Sequence, residues 1–229
     1  MPSTPLWKLR RLAPRARRVA ERRASESPAL AAFAPSLIGK VGAFVAAYDA
    51  FGKYDAPWRK EMSEGHGAAA TLVKTMRAWL PALIRDVPGF RGGDYGDQPE
   101  VPDDVIGDGE RLLEVLAAAT TQSGDPVAYR DSALAHVEPA VQRAQKEWQE
   151  AEAADRTYQS MAATTRDTAA AFQEELILFR RTLMSVAGRS DKDYQKLRAG
   201  KATATDDEDD PNAPPVPAPV EPGPPPPVV

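Results

Sequence analysis

The residue types able to do chemistry are few in this chain and poorly spaced for it. Two histidines occur, His66 within Glu64-Gly65-His66-Gly67 and His136 two residues before Glu138. Neither forms a His-Glu-x-x-His pair, whose spacing would set two imidazoles on one helix face around zinc. Both read as ordinary histidines of a helix surface or seam. Cysteine is absent, which removes thiol nucleophiles, disulfides and cysteine metal sites and leaves the redox compartment open. Carboxylates gather between 94 and 110 as Asp94, Asp97, Glu100, Asp103, Asp104, Asp108 and Glu110. Calcium needs an ordered Asp-x-Asp-x-Asp-Gly loop with a distal glutamate, so a solvated acidic loop is expected instead. Gly89, Gly92, Gly93 and Gly96 lack the Gly-Lys-Ser/Thr and the preceding strand of a phosphate cradle. Carboxylate metal sites inside helical bundles use paired Glu-x-x-His motifs, and none is present. No catalytic, cofactor-binding or metal-ligating residue is assigned, no cofactor is expected, and the chain reads as a non-enzyme.

What remains for chemistry is charge placed unevenly. The net charge is −4, but the first 25 residues hold Lys8, Arg10, Arg11, Arg15, Arg17, Arg18, Arg22 and Arg23 against Glu21 alone. With Trp7 these cations read either as a solvated tail or as a contact with an anionic surface, whether a membrane, nucleic acid or an acidic protein. No DNA-reading motif accompanies them, so nucleic acid is not the expected partner. Asp206–Asp210 is an all-acidic run, and a proline-dense end follows it with PxxP spacings at Pro214–Pro217 and Pro219–Pro222. That segment reads as a spacer or as a docking peptide for a proline-binding partner. Such asymmetry says that the two ends meet different surroundings.

The elements that would position these charges are helices. Alanine-rich, charge-rich interior segments with few aromatics favour helix, and alternating strand patterns are missing. From Leu37, steps of four and three pass through Val41, Phe44, Tyr48, Phe51, Asp55, Trp58, Met62, Gly65, Ala69, Leu72, Met76, Trp79 and Leu83. Ser36 is the expected N-cap and Pro88-Gly89 the stop, with Pro57 kinking one continuous helix and Pro81 bending its last turns. Residues 88–102 read as a loop. A shorter helix, 103–121, is capped by Asp103 or Asp104 and buries Val105, Leu112, Leu116 and Ala119. The clearest signal runs through Leu134, Val137, Val141, Ala144, Trp148, Ala151, Asp155, Tyr158, Ala162, Thr165, Ala169, Phe172, Leu176, Phe179, Leu183 and Val186 without a slip. Gly188 ends it. A period of 3.5 over this distance implies left-handed, small-angle packing. The residues flanking that second stripe carry little charge code, which suits an intramolecular seam. Trp58, Trp79 and Trp148 lie on the stripes and read as core.

The expected fold is all-α: an elongated helical bundle or long helical hairpin with coiled-coil-like heptad packing and a disordered C-terminal tail. Its parts are a basic N-terminal arm over 1–28, a bundle over 29–200 with long segments 36–87 and 127–187, and an acidic, proline-rich tail over 201–229. In the arm, Leu6, Leu9, Leu12, Ala16 and Val19 recur at helical spacing, so a short amphipathic helix is expected that Pro14 either starts or breaks. Ser190–Arg198 should make a short docked turn through Tyr194 and Leu197. Asp155, polar in an apolar stripe, falls near His66 if two antiparallel helices match their midpoints, and a His66–Asp155 pair would then set register.

No run of about 18 uninterrupted apolar residues occurs, so a membrane span is not expected. The arginine-rich start followed by Ala29–Ala47 imitates a signal peptide, but Pro35, Lys40 and the long basic lead argue against cleavage. The Ala/Arg-biased usage resembles that of high-GC bacteria. The functional expectation is a cytoplasmic, non-enzymatic structural or adaptor protein that binds protein partners or further copies of itself. The alternative is a helical protein held at a membrane surface by its basic arm.

Overall fold

The computed structural model describes residues 4–96, 98 and 100–198; the tail expected over 201–229 lies outside them. Five α-helices follow in order: α1 Leu6–Arg23, α2 Pro28–Asp86, α3 Pro102–Ala118, α4 Arg130–Ala187 and α5 Lys192–Lys196, with a 3-10 turn at Gly92–Asp94 before α3. Among the described residues there is no strand, only an isolated bridge between Thr120 and Pro126. The all-α, heptad-packed expectation is what the chain builds.

The second helix begins earlier than its most regular stripe. Ser27, not Ser36, is the N-cap: its hydroxyl accepts from the Leu30 amide at 3.1 Å, with Pro28 in the first turn. Serine followed by proline is a complete start signal. Leu30 and Ala34, both buried, extend the four-three stepping backwards from Leu37. The helix then runs for 59 residues, through Pro35, Pro57 and Pro81. Pro14 in α1 and Pro139 in α4 are likewise internal, so Pro14 neither starts nor breaks its helix. All five prolines are exposed. On a solvent-facing side the carbonyl that each leaves without an amide donor is hydrated, which is why a helix tolerates them there.

α2 and α4 form an antiparallel hairpin, each about 87 Å long at 1.5 Å per residue. Its register is read from ring contacts. Phe44 stacks on Phe172 at 5.7 Å, Phe51 meets Tyr158 at 4.9 Å, Trp58 stacks on Tyr158 at 4.3 Å, and His66 lies edge-on to Trp148 at 5.4 Å. A Cβ placed on Gly65 would stand 2.9 Å from the Ala151 Cβ and 3.3 Å from the Glu147 carbonyl oxygen. Glycine here lets the two helices close.

Two apolar cores sit at opposite ends of the hairpin. One joins α1 to the first turns of α2 and the last turns of α4 through Leu9, Ala13, Ala16, Leu30, Leu37, Phe44, Phe172 and Phe179. The other joins α3 to the far ends through Leu72, Met76, Leu83, Leu112, Leu116, Val137 and Val141. The basic arm is therefore a docked third helix that shares the bundle's core. Both third helices settle beside the residue that follows the second apolar position of each heptad. Ile38 and Val45 on α2 pack with the α1 core, while Val73 and Leu80 belong to the α3 core. Between them the same column carries Gly52, Arg59 and His66, all exposed, and the hairpin is two helices thick.

α3 starts at Pro102 with Val101 as a cap lacking any side-chain bond, so Asp103 and Asp104 are first-turn residues and not caps. They still oppose the positive end of the helix dipole. α2 also contains an 18-residue window, near the chain's N-terminus, long and apolar enough by composition to cross a membrane, 28 % of it buried. The test for uninterrupted apolar residues misses this window because Ser36 and Lys40 interrupt it. Core helices and signal sequences meet the same compositional criterion.

The close approach at Gly65 gives a paired prediction. Gly65→Ala gains helix propensity but forces the seam apart, for a net loss of about 1–2 kcal/mol in urea unfolding. Gly52→Ala, which meets nothing within 4 Å, should instead gain about 0.5–1 kcal/mol. Two variants of equal stability would contradict the packing at Gly65.

Candidate functional site

α1 presents opposite faces to opposite environments. Leu9, Ala13, Ala16, Val19 and Ala20 are buried against the hairpin. Arg11, Arg15, Arg18 and Arg22, spaced four, three and four, form a stripe on the other side. Arg11, Arg18 and Arg22 are exposed and Arg15 is half-buried. Trp7, 50 % exposed, starts this face with Lys8 Nζ 5.3 Å and the Arg11 guanidinium 5.4 Å from its ring. Cations at these distances favour the electron-rich ring face.

The structure divides the cations proposed for an anionic contact. Arg10 is engaged in a forked pair with Asp49 of α2, at 3.1 and 3.2 Å, and Arg17 bonds Glu21 one turn on at 2.8 Å. Arg23 turns inward and clamps α5. Its Nε donates to Asp193 at 2.7 Å, one terminal nitrogen to Asp191 at 2.5 Å and the other to Glu26 at 2.7 Å. Arg22 donates to the second Asp193 oxygen at 2.5 Å. Trp7, Lys8, Arg11 and Arg18 and the outer side of Arg22 form the exposed surface, with Arg15 half-buried beside them.

The clamp residues on α5 were not picked out in the sequence as site residues. Asp191 caps α5 by accepting from the Asp193 and Tyr194 amides, a pattern that is local and readable. Its partnership with Arg23, 168 residues away, is set by the fold and leaves no local signature. The docked turn itself is present: Leu197 is fully buried, and Tyr194 lies 5.7 Å from the Arg180 guanidinium. Burial disfavours the ionised form of Asp193, but hydrogen bonds and charges from Arg22 and Arg23 outweigh it and hold its carboxyl below the ordinary value. Hydrogen bonding by Glu26 first, then by Asp193 and Asp191, holds the Arg23 guanidinium more firmly protonated than usual against its own desolvation.

The polar residues of the seam pair differently from the expectation. Asp155 accepts from Trp58 Nε1 at 3.1 Å, and His66 faces Trp148. The His66–Asp155 pair is replaced because α2 starts at Pro28. Its midpoint moves towards the N-terminus, and the residue opposite Asp155 becomes Trp58, about 12 Å along the helix from His66 at 1.5 Å per residue. An indole N–H and a carboxylate still fix the register that a histidine was expected to fix.

Several acidic residues of 94–110 serve structure. Asp108, buried, accepts from the Gly96 amide at 2.6 Å and from Arg111, and Arg77 holds the Gly96 carbonyl at 2.8 Å. Gly96 has φ +66 and faces Val73 closely, so a side chain there would be strained twice. Asp103 accepts from Trp148 Nε1 at 2.9 Å and Glu110 from Gln145 at 2.6 Å. The Asp94 side chain and Asp97 lie outside the described residues. Among the described residues no group of three His, Asp or Glu is placed to hold a metal. Two open depressions are described by their linings. One of about 420 Å³ is lined by Val87, Phe90, Arg91, Tyr95, Arg111 and Val115. The other, of about 270 Å³, is lined by Met62, Trp148, Glu152, Asp155 and Arg156 at the two-helix waist. Neither brings a nucleophile, a base and an oxyanion donor together.

In comparisons with known proteins, no family model, no curated sequence and no solved structure matches this chain.

The clamp predicts a pH-dependent contribution to stability. A carboxyl whose folded pKa is depressed stabilises the fold above its unfolded value and loses that contribution as pH falls through the lower folded value. Asp193→Asn should therefore cost about 2 kcal/mol at pH 7 in urea unfolding, because Arg23 keeps Asp191 and Glu26. The gap between variant and parent should narrow once pH falls below 3.8, the ordinary aspartate value. A gap that stays constant down to strongly acid pH would contradict the ion pairing.

Proposed function

We propose that this protein is a non-enzymatic helical adaptor or spacer whose hairpin holds a cationic recognition helix at one end. The observation that carries this is the outer face of α1, where Arg11, Arg15, Arg18 and Arg22 line one side of a helix whose other side is spent on the core. Arginine presents a planar fork that pairs two carboxylate oxygens at once, so an acidic protein surface is the partner chemistry that suits it. A long hairpin of two packed helices gives distance and stiffness, which a spacer requires. The reading places the protein in the cytoplasm.

A membrane reading is favoured by one observation, the half-exposed Trp7 beside Lys8 and Arg11. Against it, the apolar face that would dip among lipids is already occupied by the hairpin. Binding at a bilayer would then rest on charge and one indole, a weak anchor without further signals.

The test uses the full chain and an Arg11→Gln/Arg18→Gln variant with two probes: a 20-residue polyglutamate peptide, and vesicles of phosphatidylcholine with phosphatidylserine. The parent should bind the peptide at low salt, and the double variant should bind it about tenfold more weakly, since two carboxylate pairings are lost. Peptide binding unchanged by the variant would defeat the carboxylate reading. Strong binding to vesicles alone would transfer the assignment to the membrane.

A further inference from the structure

We propose that the acidic run Asp206-Asp207-Glu208-Asp209-Asp210 of the same chain docks on the outer arginine face of α1 and masks it from acidic partners. The inference rests on the reading of that face as a carboxylate-binding surface and adds what competes for it.

Leu197 is fully buried, and Asp191 and Asp193 are tied to Arg22 and Arg23. The polypeptide therefore departs at Arg198 from a point fastened to the C-terminal end of α1. The acidic run begins eight residues beyond Arg198 and ends twelve beyond it, a contour of about 26 to 40 Å at roughly 3.3 Å per residue. From Arg22 back to Lys8 the α1 face is about 21 Å long at 1.5 Å per residue. The run can lie against any part of that face. The opposite end of the hairpin, some 80 Å away by the same rise per residue, is beyond it.

Arg10, Arg17, Arg22 and Arg23 have carboxylate partners, whereas Lys8, Arg11 and Arg18 make no ion pair among the described residues. Five consecutive carboxylates without an intervening cation are complementary in charge to Lys8, Arg11 and Arg18 on that face. The Asp191/Asp193 clamp already shows this chain putting spaced acids onto α1 arginines. A tether of about ten residues holds the run at an effective concentration in the millimolar range, enough to fill a site of weak exposed pairs. A longer or denser acidic surface would still displace it. The mask therefore sets a threshold that a partner must exceed.

The chain has no cysteine, so Asn212→Cys gives one spin-label position just beyond the run. In the full-length labelled chain at about 50 mM salt, the Trp7 indole N–H and the Arg11 and Arg18 amides should lose more than half of their NMR intensity to paramagnetic broadening. The intensity should return at about 0.5 M salt, where screening shortens to a few ångströms. It should also return when the run is neutralised (Asp206→Asn, Asp207→Asn, Glu208→Gln, Asp209→Asn and Asp210→Asn together). No broadening on α1, or equal broadening with the neutralised run, overturns the proposal. So does broadening that survives when label and isotope are on different copies in a mixture, because the contact is then between chains. A free Asp-Asp-Glu-Asp-Asp peptide added to the neutralised chain separates the two readings. Shifts on α1 from this peptide without broadening in the intact chain overturn the mask and leave the carboxylate surface standing; absence of both removes both.

Discussion

Everything in this molecule hangs on how closely α2 and α4 approach along one seam. Two helices of this length cannot bury much by themselves, and their contact is sustained by a heptad stripe that keeps its phase from Leu30 to Leu83 and from Val137 to Leu183. Small residues fill the middle of that stripe, Gly65, Ala151 and Ala162, and Ala154 is buried beside it. Among the bulky residues there, Trp58 stacks on Tyr158 and Phe51 meets the same ring at a tilt. At the waist the seam thus trades apolar volume for close approach and ring stacking, with the Trp58–Asp155 bond fixing the register. Five prolines survive inside the helices because the seam never turns them inwards.

The seam also explains why the two ends differ from the waist. A hairpin exposes a groove on each side, and a third helix enters only where the groove is apolar. Ile38 and Val45 make it so at one end, and Val73 and Leu80 at the other. Gly52, Arg59 and His66 leave it open between. Once α1 is docked by its apolar stripe, its arginines have no choice of direction: those beside the hairpin meet Asp49 or α5, and the rest face solvent. The cationic face is a consequence of packing. It lies at one end of a long rod, far from the opposite end, where Asp103, Asp104 and Glu110 sit on the surface.

Most of this fold was legible because heptad spacing is a strong signal and slips nowhere. The apolar stripe of α4 was read residue by residue, and only Val186, 43 % exposed, falls off its end. The start of α2 was misread because two serines can each cap a helix, and the better stripe begins after the second. Register followed that error, so His66 was matched with Asp155 when Trp58 was the true neighbour. The docking of α1 was half-visible in Leu9, Ala16 and Val19. Its groove could have been found in the apolar residues that follow Leu37, Phe44, Leu72 and Trp79. Arg23 with Asp191 and Asp193 could not have been found, since a contact between residues 168 and 170 apart has no local pattern. The candidate surface was visible only as a list of cations; sorting them into structural and exposed groups needed the fold.

The claim on which the rest depends is that α2 and α4 are one intramolecular antiparallel pair in this register. Spin labels at Gly52→Cys and Ser160→Cys, both exposed and level with each other across the Phe51–Tyr158 contact, test it by pulsed electron resonance. Helix axes 8–10 Å apart predict a single narrow distance of about 20 Å, linkers included, unchanged when labelled chain is diluted into unlabelled chain. A distance beyond about 40 Å, or one that vanishes on dilution, would mean that the hairpin is open or that the seam is made between copies.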